Sequence, residues 1–416
     1  MSAPPTALAD ANAASLLVVG SANADAANTS SLLVVGSANA DLCLSVARLP
    51  LEGETIAASA LATCAGGKGA NQAAAAARLL GGLAGPRARL MALFGDDASG
   101  AAVRAALEAA GVDLSLCRTV TSGAPTGTAI VLLMPSGQNS IVVAGGANQD
   151  EEAWRDALAG EEAARRMLLA ASQAPPRPAA LLLQREAPES ASARAAGLAR
   201  AAGAAVVLDA GGGEDGDAAI SDALLGRVTV LSPNETELAR LAGDDDRPDD
   251  AGGTGDSLSA SSDDGPPARV VARAWALLAR MEEAAAKGGD DPSPRAVLVK
   301  LGAAGSALFS GRCRRADGAG EAEDAPSAVW QPALRPDGRV VDTTGAGDCF
   351  TAAFAVARFA EGRGAREALR FATAAACLCV QRPGAQPSMP RREEVEDLLR
   401  RREGESCAQM LVRRRP

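Results

Sequence analysis

The chain has 416 residues, of which 47% are apolar and 2% aromatic, and it carries a formal charge of −10. This allows a sizeable core in one large or two smaller domains, but excludes base-stacking platforms for nucleic acid and a phosphate-backbone binder. Histidine is absent, which excludes Ser-His and Cys-His dyads and imidazole zinc sites and leaves acid–base work to Asp, Glu, Lys or Cys.

Eight cysteines stand at 43, 64, 117, 313, 349, 377, 379 and 407, without a Cys-x-x-Cys pair. A chain this long does not resemble a disulfide scaffold, so a reducing compartment is expected. No run of about 18 uncharged apolar residues occurs, so no membrane span is expected. The start "MSAPPTALADANAAS" lacks a basic n-region, and the expectation is a cytoplasmic protein.

From the N-terminus, "SLLVVGSANAD" occurs twice, at 15–25 and 31–41. Each copy reads as a buried strand ending in a Gly-Ser turn. The second runs on into "LCLSVARLPLEGET" and is the working strand; residues 1–30 are then an extension bearing a duplicated motif. Asn39 and Asp41 stand beyond the strand's carboxyl end, where α/β ligand sites form. Together they suit vicinal hydroxyls; an Asx turn is the alternative.

Next, "AGGKGANQAAAAARLLG" at 65–81 places Gly66, Gly67, Lys68, Gly69 and Asn71 at a helix start. Ala62 replaces the first glycine of a Walker A loop and Gly69 follows the lysine, so this is no P-loop. A cation and an amide suit a polyhydroxyl ligand, or simply begin a surface helix. "ARLMALFG" reads as strand, "ASGAAVRAALEAAG" as helix, and "TGTAIVLLM" with "NSIVVAGGAN" as a hairpin around "PSGQ". "AALLLQRE", "AAVVLDA", "RVTVLSPN" and "RAVLVKLG" are further strands between helical segments. The alternation predicts an α/β fold with a mostly parallel sheet covered by helices.

"GGGEDG" at 211–216 fits Gly-x-Gly-x-x-Gly, but Glu214 and Asp215 would repel a pyrophosphate. In "SPNETEL", Asn234 and Glu237 share a helical face, suiting either an Mg²⁺–water shell or a capping box. Residues 243–267 are acidic and rich in Gly, Ser and Pro, and are expected to be a disordered insertion; 311–326 form a weaker one. After a strand-like "GRVVD", "TTGAGDCF" at 343–350 makes a glycine turn that opens a helix. Its free amides and dipole suit a transferring phosphoryl group. Asp348 could take a proton from the attacking hydroxyl, or could only cap the helix. The basic tail, 401–416, reads as a solvated end.

These pieces resemble the PfkB sugar-kinase family. Its two signatures match "GGKGANQAAAAARLLG" and "VDTTGAGDCFTAAFA", and "VVGSANAD", "PTGTAIVLL", "AGGAN", "SPNETE" and "RPGAQPSMP" follow in order over about 31–400. The resemblance implies a doubly wound sheet flanked by helices, with a small β lid from about 42–64 and 124–146 and a homodimer contact through it. It implies ATP-dependent phosphorylation of D-ribose at O5. Another sugar kinase of the family, acting on deoxyribose, fructose or a nucleoside, stays open, as does a non-catalytic sugar-binding regulator.

Position by position, the resemblance makes Asp348 the base and the amides of Gly345, Ala346 and Gly347 the anion hole. Asn39, Asp41, Gly67, Lys68, Asn71 and Glu186 resemble sugar contacts. Asn234 and Glu237 match a motif tied to Mg²⁺ and phosphate. Lys300, Gly302, Ala303, Ala304 and Gly305 resemble a nucleotide loop, with Thr373 near the adenine. Asp342, Thr344, Cys379, Arg382, Gly384 and Ser388 resemble a site for K⁺, with Cys379, Arg382 and Gly384 acting through backbone carbonyls. Asp209 with "AGGG" departs from the family's "NPAP"-like stretch, and Lys300 and Thr373 replace residues that vary in the family.

Overall fold

The structure, a computed structural model, describes residues 31–81, 88–135, 139–160, 179–212, 219–243, 265–289, 294–311, 327–403 and 409–411. The first copy of the repeat, and nearly all of the acidic insertion and of the weaker one, lie outside these residues.

The strands, in chain order, are β1 (Leu32–Val35), β2 (Asn39–Ser45), β3 (Ala60–Gly66), β4 (Ala88–Met91), β5 (Leu93–Phe94), β6 (Arg118–Thr119), β7 (Gly127–Leu133), β8 (Asn139–Ala144), β9 (Ala180–Leu183), β10 (Ala205–Asp209), β11 (Val230–Ser232), β12 (Ala296–Lys300), β13 (Ser306–Ser310), β14 (Ser327–Gln331) and β15 (Gln409–Leu411). Nine build the main sheet in the order β4-β1-β9-β10-β11-β12-β13-β14-β15. From β4 to β12 all pairs are parallel, and from β12 to β15 antiparallel.

Each parallel strand is apolar on both faces. Leu32 and Val34 enter one core with Leu182, Val207 and Leu298, under the helices Lys68–Leu80, Ala346–Ala355 and Ala365–Cys379. Leu33 and Val35 enter the other with Leu181, Val206 and Val299, under Glu189–Ala201 and Ala268–Lys287. Burial on both sides is why these strands read as continuous apolar runs instead of alternating ones. The helices of the first layer are alanine-rich at their contacts, with Ala73, Ala74, Ala352 and Ala353 all fully buried, so their backbones can approach closely.

A separate small sheet has the order β3-β2-β7-β8, and β5 pairs with β6. The expected hairpin is present: β7 and β8 pair antiparallel from Thr128↔Ala144 to Leu133↔Asn139. β1 is flanked by β4 on one side and β9 on the other, so the chain reverses its direction of winding there. Such a switch point opens a crevice at the carboxyl ends of the strands.

Three expectations are corrected. "GRVVD" forms no strand: Val340 and Val341 are exposed, and only the Val341 and Asp342 amides reach back to the Val380 carbonyl. The tail is not wholly a solvated end, because Gln409–Leu411 pairs with β14 at the sheet edge. The antiparallel pair of β12 and β13 is joined only by the short turn Gly302–Ala304, so it escapes a reading based on strands alternating with long helices. Among the described residues no helix is long and apolar enough to cross a membrane.

Candidate active site

The carboxyl ends of β1, β9, β10, β11 and β12 deliver Ser37, Glu186, Asp209, Asn234 and Lys300 to one crevice. Two glycine turns, each starting a helix of the first layer, close it from above. In the first, Gly67 has φ +86°, and a Cβ there would lie 2.8 Å from the Asn39 amide nitrogen. Only glycine lets the start of Lys68–Leu80 sit against β2. In the second, Gly345 has φ +75° and precedes Ala346–Ala355 without a side-chain cap.

Asp348 is the third residue of that helix and is 5% exposed. It does not cap the helix; its carboxylate turns toward the other glycine turn. Asn71 Nδ2 donates to Asp348 Oδ2 at 2.9 Å, and Gln72 Nε2 approaches Oδ1 at 3.4 Å. Gln184 Nε2 in turn donates to Gln72 Oε1 at 2.7 Å. Burial pushes the Asp348 carboxyl up to about 6; Lys68 pulls it down, and Asp209 and Glu186 push it further up. A carboxylate with that pKa is a competent general base near neutral pH.

The sugar-side candidates come together around it. Glu186 Oε2 accepts from Ser37 Oγ at 2.5 Å and from the Lys68 amide at 2.9 Å, tying the first turn to β1. Lys68 is held well above the usual lysine range, chiefly by Asp348 and, against its burial, by Asp209, Glu186 and Glu237. Asp41 lies on β2 opposite Cys64, and a Cβ on Gly66 would collide with its carboxylate. Burial, with Cys64, Glu186 and Asp348 nearby, raises Asp41 to about 7. Asn39 is also in the strand, not in an Asx turn, and its Oδ1 accepts from Asn148 Nδ2 at 2.7 Å. Asp41 Oδ1 and Asn71 Oδ1 are buried with no hydrogen-bond partner among the described residues. Two unsatisfied buried acceptors call for donors, and sugar hydroxyls are donors.

On the phosphate side, Asn234 and Glu237 make the capping box of Glu235–Leu241. Glu237 Oε2 accepts the Asn234 amide at 2.8 Å, and Asn234 Oδ1 accepts the Glu237 amide at 2.7 Å. Lys300 Nζ meets Asp209 Oδ2 at 2.7 Å. Gly302–Ala304 is a short turn beyond β12, with Gly302 and Ala303 exposed and the Ala304 carbonyl accepting from Trp330 Nε1; Gly305 follows at φ +100°. Thr373 is buried with its Oγ1 unpartnered among the described residues.

Of the candidate K⁺ residues, Asp342 joins two: its Oδ1 accepts the Thr344 amide at 2.9 Å and its Oδ2 the Gly384 amide at 2.8 Å. Ser388 Oγ meets Cys379 Sγ at 3.0 Å. The Arg382 side chain leaves the group to pair with Glu394. Asn148, Gln72 and Gln184 were not picked out by sequence reasoning. Their signal was weak: each is a polar residue inside an apolar or glycine-rich run.

The profile of the pfkB family carbohydrate kinases matches residues 29–392. The chain belongs to this family. A ribokinase of Arabidopsis thaliana is 40% identical over 398 residues, 95% of this chain and 84% of that protein. A ribokinase of Bacillus subtilis is 31% identical over 350 residues, 84% of this chain and 92% of the relative. Among solved structures, Arabidopsis ribokinase complexed with ribose and ATP matches with a TM-score of 0.65 at 38% identity, covering 89% of this chain and 99% of that one. The PfkB signatures are thus the two glycine turns that face each other across the crevice.

Proposed function

We propose that this PfkB kinase transfers the γ-phosphoryl group of ATP to O5 of D-ribose, giving D-ribose 5-phosphate. The observation that carries the reading is Asp348. It is a buried carboxylate at the mouth of a glycine turn, held from the opposite turn by Asn71, with unsatisfied acceptors on Asp41 and Asn71 beside it. The similarity to the ribose- and ATP-bound Arabidopsis structure supports it.

Ribose lies between β2 and the first turn, contacted by Asn39, Asp41, Gly67, Lys68, Asn71 and Glu186. Asp348 accepts the proton of the attacking hydroxyl, and the amides of Gly345, Ala346 and Gly347 take the charge developing on the phosphoryl oxygens. Lys300, Gly302–Gly305 and Thr373 serve the nucleotide.

Mg²⁺ fits this donor set: it binds through one or two carboxylates, waters and substrate phosphates, and Glu237 is a buried carboxylate in reach of Lys68. When bound it neutralises phosphate charge. K⁺ fits the Asp342 loop, where one carboxylate fastens two backbone segments and the other donors are carbonyl and hydroxyl oxygens. A homodimer and a cytoplasmic location complete the proposal; the six described cysteines, all free thiols, accord with a reducing compartment.

The test is ADP release by purified protein with Mg-ATP, with and without K⁺, over ribose, deoxyribose, fructose and adenosine. The highest kcat/KM is expected for ribose, rising with K⁺. Preference for another acceptor would reassign the substrate, and binding of ribose with no ADP formed would make the chain a sugar-binding regulator.

A further inference from the structure

The fold sets Asp209 and Lys300 against each other. Asp209 ends β10 and Lys300 ends β12, on either side of β11. Their side chains are 2% and 14% exposed. The Asp209 carboxylate is fixed by three donors: Lys300 Nζ at 2.7 Å and Thr351 Oγ1 at 2.9 Å on Oδ2, and the Gly211 amide at 3.0 Å on Oδ1. Burial opposes its charge, but Lys300 and Lys68 outweigh that and hold it below the usual carboxylate range. Thr351 lies on the helix that the second glycine turn opens, so the pair is locked to the anion hole.

A buried anion there would repel a triphosphate unless neutralised, and Lys68 already answers to Asp348, Asp209, Glu186 and Glu237. Among the described residues at this crevice, Lys300 is the cation beside the pair's anion and the second turn. Its Cδ and Nζ lie 3.9 Å from where a Cβ on Gly347 would stand, beside the turn's amides. An ammonium group has three hydrogens, and Asp209 takes one.

We infer that Lys300 is a catalytic cation that stabilises the transferring phosphoryl group, and that Asp209 is the positioning residue that aims it. The inference deepens the kinase reading and rests on its anion hole. The pair is therefore one matched device: the acid that would spoil a phosphate site is the anchor of the lysine that improves it. Asp209 acts through Lys300, and this separates the inference from a buried ion pair that only holds the sheet together.

The experiment is a mutant cycle on the full chain: wild type, K300M, K300R, D209N, D209E and D209N/K300M. For each, kcat, KM for sugar, KM for ATP and Tm are measured, with the Kd of a non-hydrolysable ATP analogue. K300M is expected to lower kcat about 100-fold, the order of losing one anion-hole donor, with KM for sugar unchanged and K300R recovering part of the loss. D209N is expected to lower kcat about tenfold in the wild-type background, with D209E recovering part, and to cost nothing further in K300M. A D209N loss that multiplies in full with that of K300M overturns the inference, as does a fall in Tm with kcat unchanged. Should D209N fail to fold, K300M and the double variant, which leaves no unpaired buried charge, decide through kcat. A wild-type chain that phosphorylates no sugar sinks the kinase reading instead. Lys300 is then judged on the analogue: a Kd weakened about tenfold or more in K300M supports the inference, and an unchanged Kd overturns it.

Discussion

At the residue scale, the crevice is defined by carboxylates placed where their charge is costly. Asp348 sits at about 6, against 3.8 for the free group, chiefly through burial. In its proposed role as base it works only when ionised, so turnover is expected to be full above that value and to fall as pH drops through about 6. Asp348→Asn is expected to cost 10²-fold or more in kcat while ribose still binds; a pH–rate profile and calorimetric titration check both. Near-normal turnover in that variant would remove Asp348 from its role. Asp41, at about 7 against 3.8, makes a different prediction. Its folded form holds a proton that the unfolded chain has released, so between roughly these two values the native state binds more protons. Stability therefore falls as pH rises through that window. Asp41→Asn removes the effect and is expected to raise Tm by about 2 °C at pH 7.5, less at pH 5, while weakening ribose binding. Thermal unfolding at the two pH values is the measurement; an equal shift at both would contradict it.

At the element scale, the site depends on two helices that start at glycine turns and pack against each other, Lys68–Leu80 and Ala346–Ala355. Alanines at the contact keep the backbones close, which puts Asn71 within 2.9 Å of Asp348. Ala353→Leu, at a fully buried position, is expected to cost about 1–3 kcal/mol by overpacking and to lower kcat more than an equally destabilising change on the other face of the sheet. Chemical denaturation with parallel kinetics tests this. Much of this geometry was legible in the sequence. Glycines before an apolar helix, with polar residues in its first turn, single out Lys68, Asn71 and Asp348, and the fold brings the three together. The direction of the Asp348 side chain was not legible, because capping and catalysis use the same residue at the same place. Asp348 turns away from the cap toward a partner 277 positions away, Asn71. Gln72 and Gln184 were hidden for the same reason: only the folded chain shows that they stand in line behind Asp348. "GRVVD" reads as a strand although it forms none, because a pair of valines carries no record of whether an edge is there to pair with. β15 was missed since three residues give no period to read.

At the scale of the whole molecule, the main sheet is covered on both faces and the small sheet is not. Leu61 is 66% exposed, Val142 64% and Ile141 49%, with Ile130 also open, all on the small sheet. Apolar surface concentrated on one element accords with a self-association face. Val142→Lys is expected to shift a dimer toward monomer in analytical ultracentrifugation and to leave the main sheet folded; a wild-type chain that sediments as a monomer would refute the dimer. The span of the site along the chain has a further consequence, for synthesis. Ser37 and Asn39 leave the ribosome among the first residues of the fold, and Asp348 and Ser388 near its end. A nascent chain that has completed both the small sheet and the first glycine turn still lacks the proposed base and the proposed anion hole. On the proposed assignment, a translation intermediate that ends before Asp348 has no base for phosphoryl transfer. The proposed active site is thus completed only when the last third of the chain has been made.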